Sequence, residues 1–511
     1  MKARDQLLYS VFVAVLFAAV AAADEAAILG FGAAGTNLSV FFRGNAGERY
    51  HVQQCDDLAE GRWRSPCSVR LPAATGEVRC ARHGEQSAMF RLRENPVPTN
   101  HRARYDDIEE GLAVFAPILE GLPAQTDAPQ TLFGLPAMVP NGNRGYAVLS
   151  ATNRARMLAE VDLYHTMGAE LLKLDITYPL LTRAFHEQLA LQPGYEWYAG
   201  VHEEDYLAVY TAVVQRARDR GMRVLVEHSL LIPSYSVTDP GFYFDTIRGL
   251  GEQAGRLRVQ AELASEGALI QERLAPDWFS LVVEPESQNQ RFGEFPGGAP
   301  LMNPTQWTAH AEAVVTALRA QFPGAATRFG AGQGTWENPA YTENFVEIAG
   351  LDYVDFHVFP VRSAEGHYLT NLVGWCAAAR AAGKGVTLGE AWLYKADRED
   401  LASAGMDFQD IYARDLYSFW EPLDVVFMRQ LAGLALKENA EFLCFFWPTY
   451  QFRYWSYPDD FELAPGGTPD DLAPMDRLTM ADRALRDVIA SGAVYRTEAG
   501  LEFRRLAGAA P

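Results

Sequence analysis

From about residue 130 onward, the sequence alternates short apolar runs with longer amphipathic segments, and this alternation restricts the fold more than any other feature. Strand-length apolar runs that are each followed by a helix-length segment are typical of a parallel sheet with helical connections. The eight runs are Ala137–Val139, Leu171–Ile176, Arg223–Glu227, Trp278–Glu284, Ala326–Ala331, Tyr353–Val358, Gly385–Glu390 and Glu441–Trp447. Eight strand–helix units predict an α/β fold, a closed (β/α)8 or TIM barrel.

The segments between these runs are long enough for helices. Helices are predicted at Asp205–Arg220, Pro304–Gln321, Asn371–Ala382 and Pro422–Lys437. An open doubly wound sheet would normally carry a Gly-rich phosphate loop after its first strand, and no such loop follows the first apolar run. The closed barrel is therefore favoured over the open sheet.

The first 23 residues have the pattern of a secretory signal peptide. Lys2 and Arg4 precede the apolar run Leu7–Val20, and the small residues Ala21–Ala23 suit a cleavage site. An uncleaved membrane anchor is the alternative interpretation. We predict export to the extracellular space or the periplasm, with no membrane insertion after the signal is removed.

Residues 24–97 and 98–129 differ from the barrel region. The first stretch consists of short β-rich runs separated by Gly, Asn, Asp and Pro, which predicts a small β-sandwich-like module for attachment or spacing. Residues 98–129 are predicted to be a linker and a lead-in to a barrel spanning 130–511. Within that barrel, two apolar runs in Ala493–Leu506 predict a closing β-hairpin.

The five cysteines fall into two groups. Cys55, Cys67 and Cys80 lie in the N-terminal module, where export permits a disulfide whose pairing the sequence leaves open. Cys376 and Cys444 lie in apolar segments and are predicted to be buried free thiols.

The formal net charge of −21 restricts the partners of the chain. A strongly acidic surface repels nucleic acid, anionic lipid and polyanionic substrates, so a neutral substrate fits best. The sequence contains no CxxC, HxH or HExxH spacing, and we predict neither a metal nor a cofactor. The sequence leaves the oligomeric state open.

Two of the predicted barrel strands end in a carboxylate. The strand-4 run Trp278–Glu284 stops at Glu284, where Pro285 prevents further ladder pairing, and the strand-7 run stops at Glu390. Active sites of such barrels lie at the C-terminal ends of the strands, and strands 4 and 7 face each other across the mouth. Glycoside cleavage requires such a pair, one carboxyl to protonate the leaving oxygen and one to attack or to activate water.

The pattern of strand ends over residues 130–460 resembles the clan of retaining glycoside hydrolases that includes cellulases, mannanases, galactanases and xylanases. The resemblance rests on Glu284-Pro285, on Gly389-Glu390-Ala391-Trp392, on His357 at the end of strand 6 and on Trp447 at the end of strand 8. It implies an acid/base role for Glu284 and a nucleophile role for Glu390. It also implies an aromatic floor for the sugar at Trp447 and a substrate contact at His357.

Three positions depart from the pattern of that clan. Val283 stands where an Asn usually precedes the acid and binds the sugar 2-hydroxyl, and Phe359 stands where a Tyr often supports the nucleophile. Lys173 occupies the place of a common strand-2 Arg. These departures leave the identity of the sugar open.

Further residues are candidates for lining the mouth. Trp336 and Trp392 follow strands 5 and 7, where aromatic planes can stack on sugar rings. Asp175 on strand 2 and Glu227 and His228 after strand 3 are predicted to line the mouth or to pair with each other. Glu286 is a second candidate for the acid. Because two close carboxylates push their pKa values apart, we expect a raised pKa for Glu284 and an ionised Glu390.

Other functional classes remain as alternatives. A barrel that binds carbohydrate without turnover would explain Val283, whereas the retention of both carboxylates favours an enzyme. A different type of barrel hydrolase is a third alternative, but the absence of HxH and other metal-binding spacings argues against it. A pure adhesion protein would not need polar residues at the strand ends.

Overall fold

In the computed structural model, the described residues are 97–123, 131–232, 238–359, 367–396, 408–457, 461, 463, 467–491 and 497–508, together with the backbone of six strands between residues 27 and 94. They form two compact units. The first comprises residues 1–108, 405–425 and 449–501, and the second comprises 109–404, 426–448 and 502–511. Within the range 130–511, the segments 405–425 and 449–501 belong to the first unit, and the domain boundaries drawn from the sequence remain predictions.

The six N-terminal strands form two antiparallel three-stranded sheets, ordered β1-β2-β5 and β4-β3-β6. Their bounds are β1 Ala27–Ala34, β2 Asn37–Arg43, β3 Arg49–Cys55, β4 Arg64–Arg70, β5 Thr75–Ala81 and β6 Met89–Glu94. The packing of the two sheets into a sandwich, the pairing of Cys55, Cys67 and Cys80 and the signal peptide all concern parts of the chain outside the described residues. They remain predictions.

The predicted (β/α)8 barrel is confirmed in the second unit, where eight parallel strands pair in chain order and close on themselves. Strand β14 pairs with β7 to complete the ring. The barrel strands 1 to 8 are β7 Leu132–Pro136, β8 Leu171–Tyr178, β9 Arg223–Leu230, β10 Trp278–Ser280, β11 Arg328–Gly334, β12 Tyr353–Val358, β13 Gly385–Ala391 and β14 Phe442–Phe445.

Only the first strand was misplaced by the sequence analysis, which set it at Ala137–Val139 instead of Leu132–Pro136. The predicted run is buried, but its backbone leaves the ladder after Ala137, whose amide still donates to the Lys173 carbonyl at 2.9 Å. The amides of Met138 and Val139 donate instead to the carboxylate of Glu160, at 2.8 and 3.0 Å. The run was therefore predicted as the strand because it is apolar and buried, although it follows the strand in the chain.

The helices within the described ranges follow the predicted pattern closely, since the segments predicted at 205–220, 304–321, 371–382 and 422–437 are all helical. Their bounds are α1 Thr99–Gly121, α2 Ala151–Thr166, α3 Arg183–Leu189, α4 Glu203–Asp219, α5 Gly241–Arg248, α6 Glu252–Leu274, α7 Pro285–Phe292, α8 Pro304–Gln321, α9 Ala340–Phe345, α10 Tyr368–Ala381, α11 Phe408–Arg414, α12 Glu421–Glu438, α13 Pro474–Ser491 and α14 Glu498–Leu506. No helix in these ranges has both the length and the apolarity needed to cross a membrane.

Two connecting segments differ from their predictions. Helix α1 occupies most of the predicted linker, because Tyr105, Ile108, Leu112 and Phe115 recur at helical spacing and are buried. Helix α14 replaces most of the predicted C-terminal hairpin, with Ala499 and Phe503 buried four residues apart. In both cases the apolar residues follow the helical period and not the period of two that a strand requires.

The barrel interior is apolar at its N-terminal end and polar toward its C-terminal end. Leu171, Leu225, Phe442 and Cys444 form a buried cluster near the starts of their strands. Cys376 and Cys444 are both buried free thiols, as predicted. Gly330 leaves room for the ring of Tyr353, which a Cβ at that position would approach to 2.1 Å. The apolar layer thus supports the charged groups that lie above it.

Candidate active site

Charged side chains from five strand ends converge inside the mouth of the barrel. They are Lys173 and Asp175 on β8, Glu227 on β9, Glu284 after β10, His357 on β12 and Glu390 on β13. The side chains of Asp175 and Glu390 are 11% exposed and that of Glu284 is 9% exposed, whereas those of Lys173 and Glu227 are 1% exposed. Asp175, Glu284 and Glu390 therefore form the surface that a ligand can reach, and the other groups lie beneath them.

Lys173 is the buried cation on one side of this cluster. Its Nζ lies 2.7 Å from Glu227 Oε2 and 3.3 Å from both Asp175 Oδ1 and Glu390 Oε1. Burial alone would lower the pKa of Lys173, but the three carboxylates raise it well above its usual value. Lys173 is therefore a permanent positive charge next to Glu390.

His357 is the centre of the cluster, and both of its ring nitrogens face carboxylates. Nδ1 lies 2.8 Å from Glu284 Oε1 and 3.2 Å from Glu390 Oε2, and Nε2 lies 3.2 Å from Glu227 Oε1. Burial lowers the pKa of His357, but the surrounding carboxylates, Glu227 first, raise it well above its ordinary value. His357 thus connects both candidate catalytic carboxylates to Glu227.

Glu284 and Glu390 lie close together, as predicted for a pair across the mouth. One oxygen of each and a ring nitrogen of His357 all lie within 4.8 Å of one another. For Glu390, burial raises the pKa, but Lys173 and His357 outweigh it and lower the pKa to about 2. The arrangement therefore keeps Glu390 ionised.

The expected raised pKa of Glu284 is wrong for the free protein. Burial raises the pKa of Glu284, but its hydrogen bond with His357 and the positive charge of Arg291 together lower it. Arg291 Nη2 lies 3.4 Å from Glu284 Oε2. Arg291 was not predicted from the sequence; it lies seven residues after Glu284 and faces it across two turns of α7.

Irregular backbone directs both carboxylates into the mouth. Glu284 has left-handed backbone angles (φ 45°, ψ 61°) at the N-cap of α7. Between β12 and β13 the register shifts just before the pair His357 and Glu390, and such bulges re-aim side chains. Strained backbone costs free energy and persists only where the surrounding structure stabilises it. Such strained positions are frequent at functional sites.

The strain at Glu284 is stabilised by Glu337, a buried residue that follows β11. Glu337 Oε1 accepts hydrogen bonds from the amides of Glu286 and Ser287, at 2.7 and 3.3 Å, and Oε2 accepts one from Gly334 at 2.8 Å. The unpaired amides at the start of α7 are thereby satisfied. Glu337 was missed because its only signal in the sequence is an acidic residue three positions after a strand.

Asp355 ties strands 4 and 7 together beneath the carboxylates. Its side chain accepts hydrogen bonds from Ser280 Oγ at 2.7 Å, from Thr387 Oγ1 at 2.6 Å and from the Gly389 amide at 2.9 Å. A Cβ at Gly389 would lie 2.5 Å from Glu227 Oε1, so only glycine fits there. Asp355 and Gly389 therefore fix the separation of the strands that carry Glu284 and Glu390.

Aromatic side chains surround the strand-7 side of the mouth. Trp392 is buried and lies between Trp447 and Phe359, with ring centroids 5.6 and 6.0 Å away. Trp447 and Trp336 are partly exposed, and Trp336 stacks on Phe359 at 4.9 Å. Trp447 has a φ of 50°, and its buried Nε1 has no hydrogen-bond partner among the described residues. Trp447 and Trp336 can therefore offer ring surface to a ligand, whereas Trp392 packs beneath them.

Two predicted site residues lie outside the cluster. His228 faces the helical layer, where its Nε2 lies 2.9 Å from Glu266 Oε2 on α6, because side chains alternate along a strand and Glu227 takes the inward position. The prediction that His228 lines the mouth is wrong. Glu286 lies on α7, and its carboxylate accepts a hydrogen bond from the Asn338 amide at 3.3 Å. Its contacts are with the backbone that follows β11.

Two groups of side chains in the described ranges bring their donor atoms close enough to hold a metal ion. They are Glu227, Asp355 and His357, and Glu284, His357 and Glu390. The separation of 2.8 Å between His357 Nδ1 and Glu284 Oε1 is that of a hydrogen bond. A proton between these atoms accounts for their spacing.

The first testable prediction concerns the charge of Lys173. We expect Lys173→Met to raise the pKa of Glu390, because it removes the positive charge that contributes most to lowering this pKa against the effect of burial. A nucleophile must be ionised, so the acid limb of the pH dependence of kcat/KM would rise by about one unit or more. The free energy of unfolding would fall by about 3–5 kcal/mol, because a buried ion pair loses one partner.

Lys173→Arg is the matched control, since it keeps the positive charge with a different shape. Its acid limb is expected to stay close to that of the wild type even where kcat falls. A pH profile measured with both variants, alongside urea unfolding, separates loss of charge from loss of packing. An acid limb that does not move in Lys173→Met would contradict the electrostatic role of Lys173.

Comparisons with known proteins find likeness only among solved structures, since no protein-family model and no curated protein matches the chain. An exo-β-1,4-mannosidase from an Opitutaceae bacterium is 14% identical, with a TM-score of 0.41 over 64% of this chain, which spans only 54% of that protein. A glycoside hydrolase family 5 mannosidase from Rhizomucor miehei is 12% identical, with a TM-score of 0.41 over 71% of this chain and 95% of that one. An endo-β-1,4-mannanase from Cellulomonas fimi is 13% identical, with a TM-score of 0.38 over 75% of this chain and 74% of that one. The barrel itself is established by the strand pairing described above.

Proposed function

We propose that this protein is an exported glycoside hydrolase that cleaves a neutral β-linked oligo- or polysaccharide by a retaining, double-displacement mechanism. Glu390 attacks the anomeric carbon, and Glu284 protonates the leaving oxygen and later deprotonates the attacking water. The observation that carries the proposal is that one oxygen of Glu284 and one oxygen of Glu390 lie within 4.8 Å of each other at the mouth of the barrel. Retaining enzymes hold their carboxyls roughly 5–5.5 Å apart, whereas inverting enzymes need roughly 6.5–9.5 Å.

The electrostatics of the pair support this division of roles. Lys173 Nζ lies 3.3 Å from Glu390 and keeps it ionised, as a nucleophile must be. Glu284 has a hydrogen-bonded partner in His357 through which it can exchange a proton. Glu390 therefore has a fixed cation beside it, whereas Glu284 has a partner that can carry a proton.

The ligand-facing residues favour a neutral sugar. Asp175 is the third partly exposed carboxylate of the mouth, and Asn141 Nδ2 donates to its Oδ2 at 2.7 Å. A carboxylate and partly exposed indole rings bind sugar hydroxyls and sugar faces, whereas an anionic sugar would be repelled. We propose that Trp447 and Trp336 form the sugar platform and that Asp175 binds a hydroxyl.

A carbohydrate-binding barrel without turnover is the second candidate, and one observation favours it. Val283 precedes the acid and is buried. Its side chain is aliphatic and therefore offers no donor to the sugar 2-hydroxyl. Arg291, whose Nη2 lies 3.4 Å from Glu284 Oε2, is a donor beside the acid that could bind the hydroxyl instead. Turnover itself decides between the two candidates.

The test is an activity screen against neutral β-linked glycans, followed by proton NMR of the first product anomer. We expect hydrolysis with a β-configured initial product, because two displacements restore the configuration. Glu390→Gln, which preserves the shape of the side chain, is the negative control. An α-configured product would rule out the retaining mechanism, and binding without hydrolysis would favour the second candidate.

A further inference from the structure

The role of Glu227 is not explained by the two-carboxylate mechanism. It lies four strands away from Glu390 around the barrel wall, is almost completely buried and has no access to a ligand. Its two oxygens nevertheless contact the two buried cations of the site, Lys173 at 2.7 Å and His357 at 3.2 Å. A buried third carboxylate costs solvation free energy unless its charge is compensated.

The proton count at His357 identifies what Glu227 does. An ionised carboxylate can only accept hydrogen bonds, and a neutral imidazole has a single N–H. His357 faces Glu227 through Nε2 and Glu284 through Nδ1, so both contacts can be hydrogen bonds only if one further proton is present. That proton belongs to the group of three residues and not to any one of them.

We propose that Glu227 and His357 form a proton reservoir for Glu284, in which Glu227 is the positioning residue that keeps a proton on the imidazole between reaction cycles. The inference rests on the proposed function, since it concerns the proton that the acid delivers. It also explains how a carboxylate that is ionised in the free protein can act as the acid.

The transfer balances in each half of the reaction. The Nδ1–H bond of His357 breaks as an O–H bond forms on Glu284, and the neutral imidazole keeps Nε2–H, which it donates to Glu227. Glu284 then passes the proton to the glycosidic oxygen, which takes the electrons of the breaking C–O bond while Glu390 bonds to the anomeric carbon. In the second half, water gives a proton to Glu284, and the water oxygen displaces the Glu390 carboxylate from the anomeric carbon. The proton then returns from Glu284 to His357 Nδ1.

Other charged groups also face this unit and enter its titration. Glu390 Oε2 lies 3.2 Å from His357 Nδ1, Lys173 contacts Glu227, and Arg291 contacts Glu284. Asp175, Asp355 and Glu337 are further carboxylates beside the cluster. Burial raises the pKa of Glu227 to about 7 despite its cationic neighbours, and the pKa of His357 is also raised. Both directions place a shared proton on the pair at neutral pH.

Glu227→Gln tests the reservoir, because it removes the counter-charge and keeps the shape. His357 would then lose its proton at lower pH. The alkaline limb of the pH profile of kcat/KM would therefore move to lower pH by about one unit or more. At neutral pH, kcat/KM for alkyl glycosides would fall roughly tenfold or more, because their leaving group needs the proton. Dinitrophenyl glycosides, whose leaving group needs no protonation, would be much less affected. Equal losses on both substrates with an unmoved limb would overturn the proposal.

Glu160→Gln is the matched control. Glu160 is also a fully buried glutamate whose pKa is raised to about 7, but its partners are Tyr164 and the amides of Met138 and Val139. Its substitution is expected to lower stability without moving the alkaline limb. A shift of the limb as large as that of Glu227→Gln would mean that any buried glutamate has this effect, and the proposal would fail.

A second measurement requires no turnover. Nitrogen-15 NMR of histidine-labelled wild-type protein, with His357→Gln to assign the signal, reports directly on both ring nitrogens. We expect both nitrogens to be protonated at pH 7, and the imidazole to lose a proton at lower pH in Glu227→Gln. A neutral His357 at pH 7 in the wild type would overturn the proposal even if Glu227→Gln does not fold. If the protein hydrolyses no glycoside, the NMR result still decides on the shared proton, and the proposed function fails separately.

Discussion

Glu390→Ala is expected to lower kcat for glycoside hydrolysis by on the order of 10⁵-fold or more, because it removes the group proposed to form the glycosyl–enzyme bond. Among the described residues, Glu284 is the other slightly exposed carboxylate that contacts His357, and it is the proposed acid. Saccharide binding to the aromatic rim is expected to persist, since Trp447 and Trp336 make no described contact with Glu390. Hydrolysis rates and binding by calorimetry measure the two effects separately.

Azide makes this prediction sharper. The vacated space next to Lys173 keeps its positive charge, so it is a suitable site for a small anion. We expect azide to restore part of the cleavage of an activated aryl glycoside and to give an α-glycosyl azide, because only one displacement then occurs. Unchanged activity in Glu390→Ala would contradict the assignment of the nucleophile.

Glu284→Ala is expected to separate substrates by their leaving group. Loss of a general acid costs roughly 10²–10⁴-fold on alkyl glycosides, whose leaving oxygen must be protonated. The step that forms the intermediate is expected to be nearly unaffected for dinitrophenyl glycosides. Pre-steady-state measurement of that step with both substrates checks the prediction.

Glu286→Ala is the control for this experiment, because it removes a carboxylate two residues away that is bound to the Asn338 amide instead of His357. We expect no dependence on the leaving group in this variant. If Glu286→Ala shows that dependence and Glu284→Ala does not, the acid has been assigned to the wrong residue.

The barrel could be predicted from the sequence because its signal is repeated eight times and comes from burial, which strongly restricts residue type. The first strand was misplaced where buried residues continue beyond the ladder, at Ala137–Val139. Helices α1 and α14 were missed because the helical spacing of their apolar residues was not recognised in the segments predicted as a linker and a hairpin.

The candidate site was predictable only where a side chain ends a strand. Glu284 and Glu390 carry that signal, and the structure brings them together. Their electrostatic partners do not carry it. Arg291 and Glu337 become neighbours of Glu284 only through the turn into α7, and Glu227 and His228 differ in role only because alternate residues of a strand face opposite sides. The lowered pKa of Glu284 depends on those partners and therefore could not be inferred from the pair alone.

The most direct test of the account is to trap the covalent intermediate. A 2-deoxy-2-fluoro glycoside of the sugar found in the screen slows the second displacement, and peptide mass spectrometry then locates the label. The account predicts one sugar per chain, attached to Glu390 in the segment Gly385–Ala391, and no label in Glu390→Gln. A label on any other residue, or hydrolysis that continues with no trapped adduct, would contradict it.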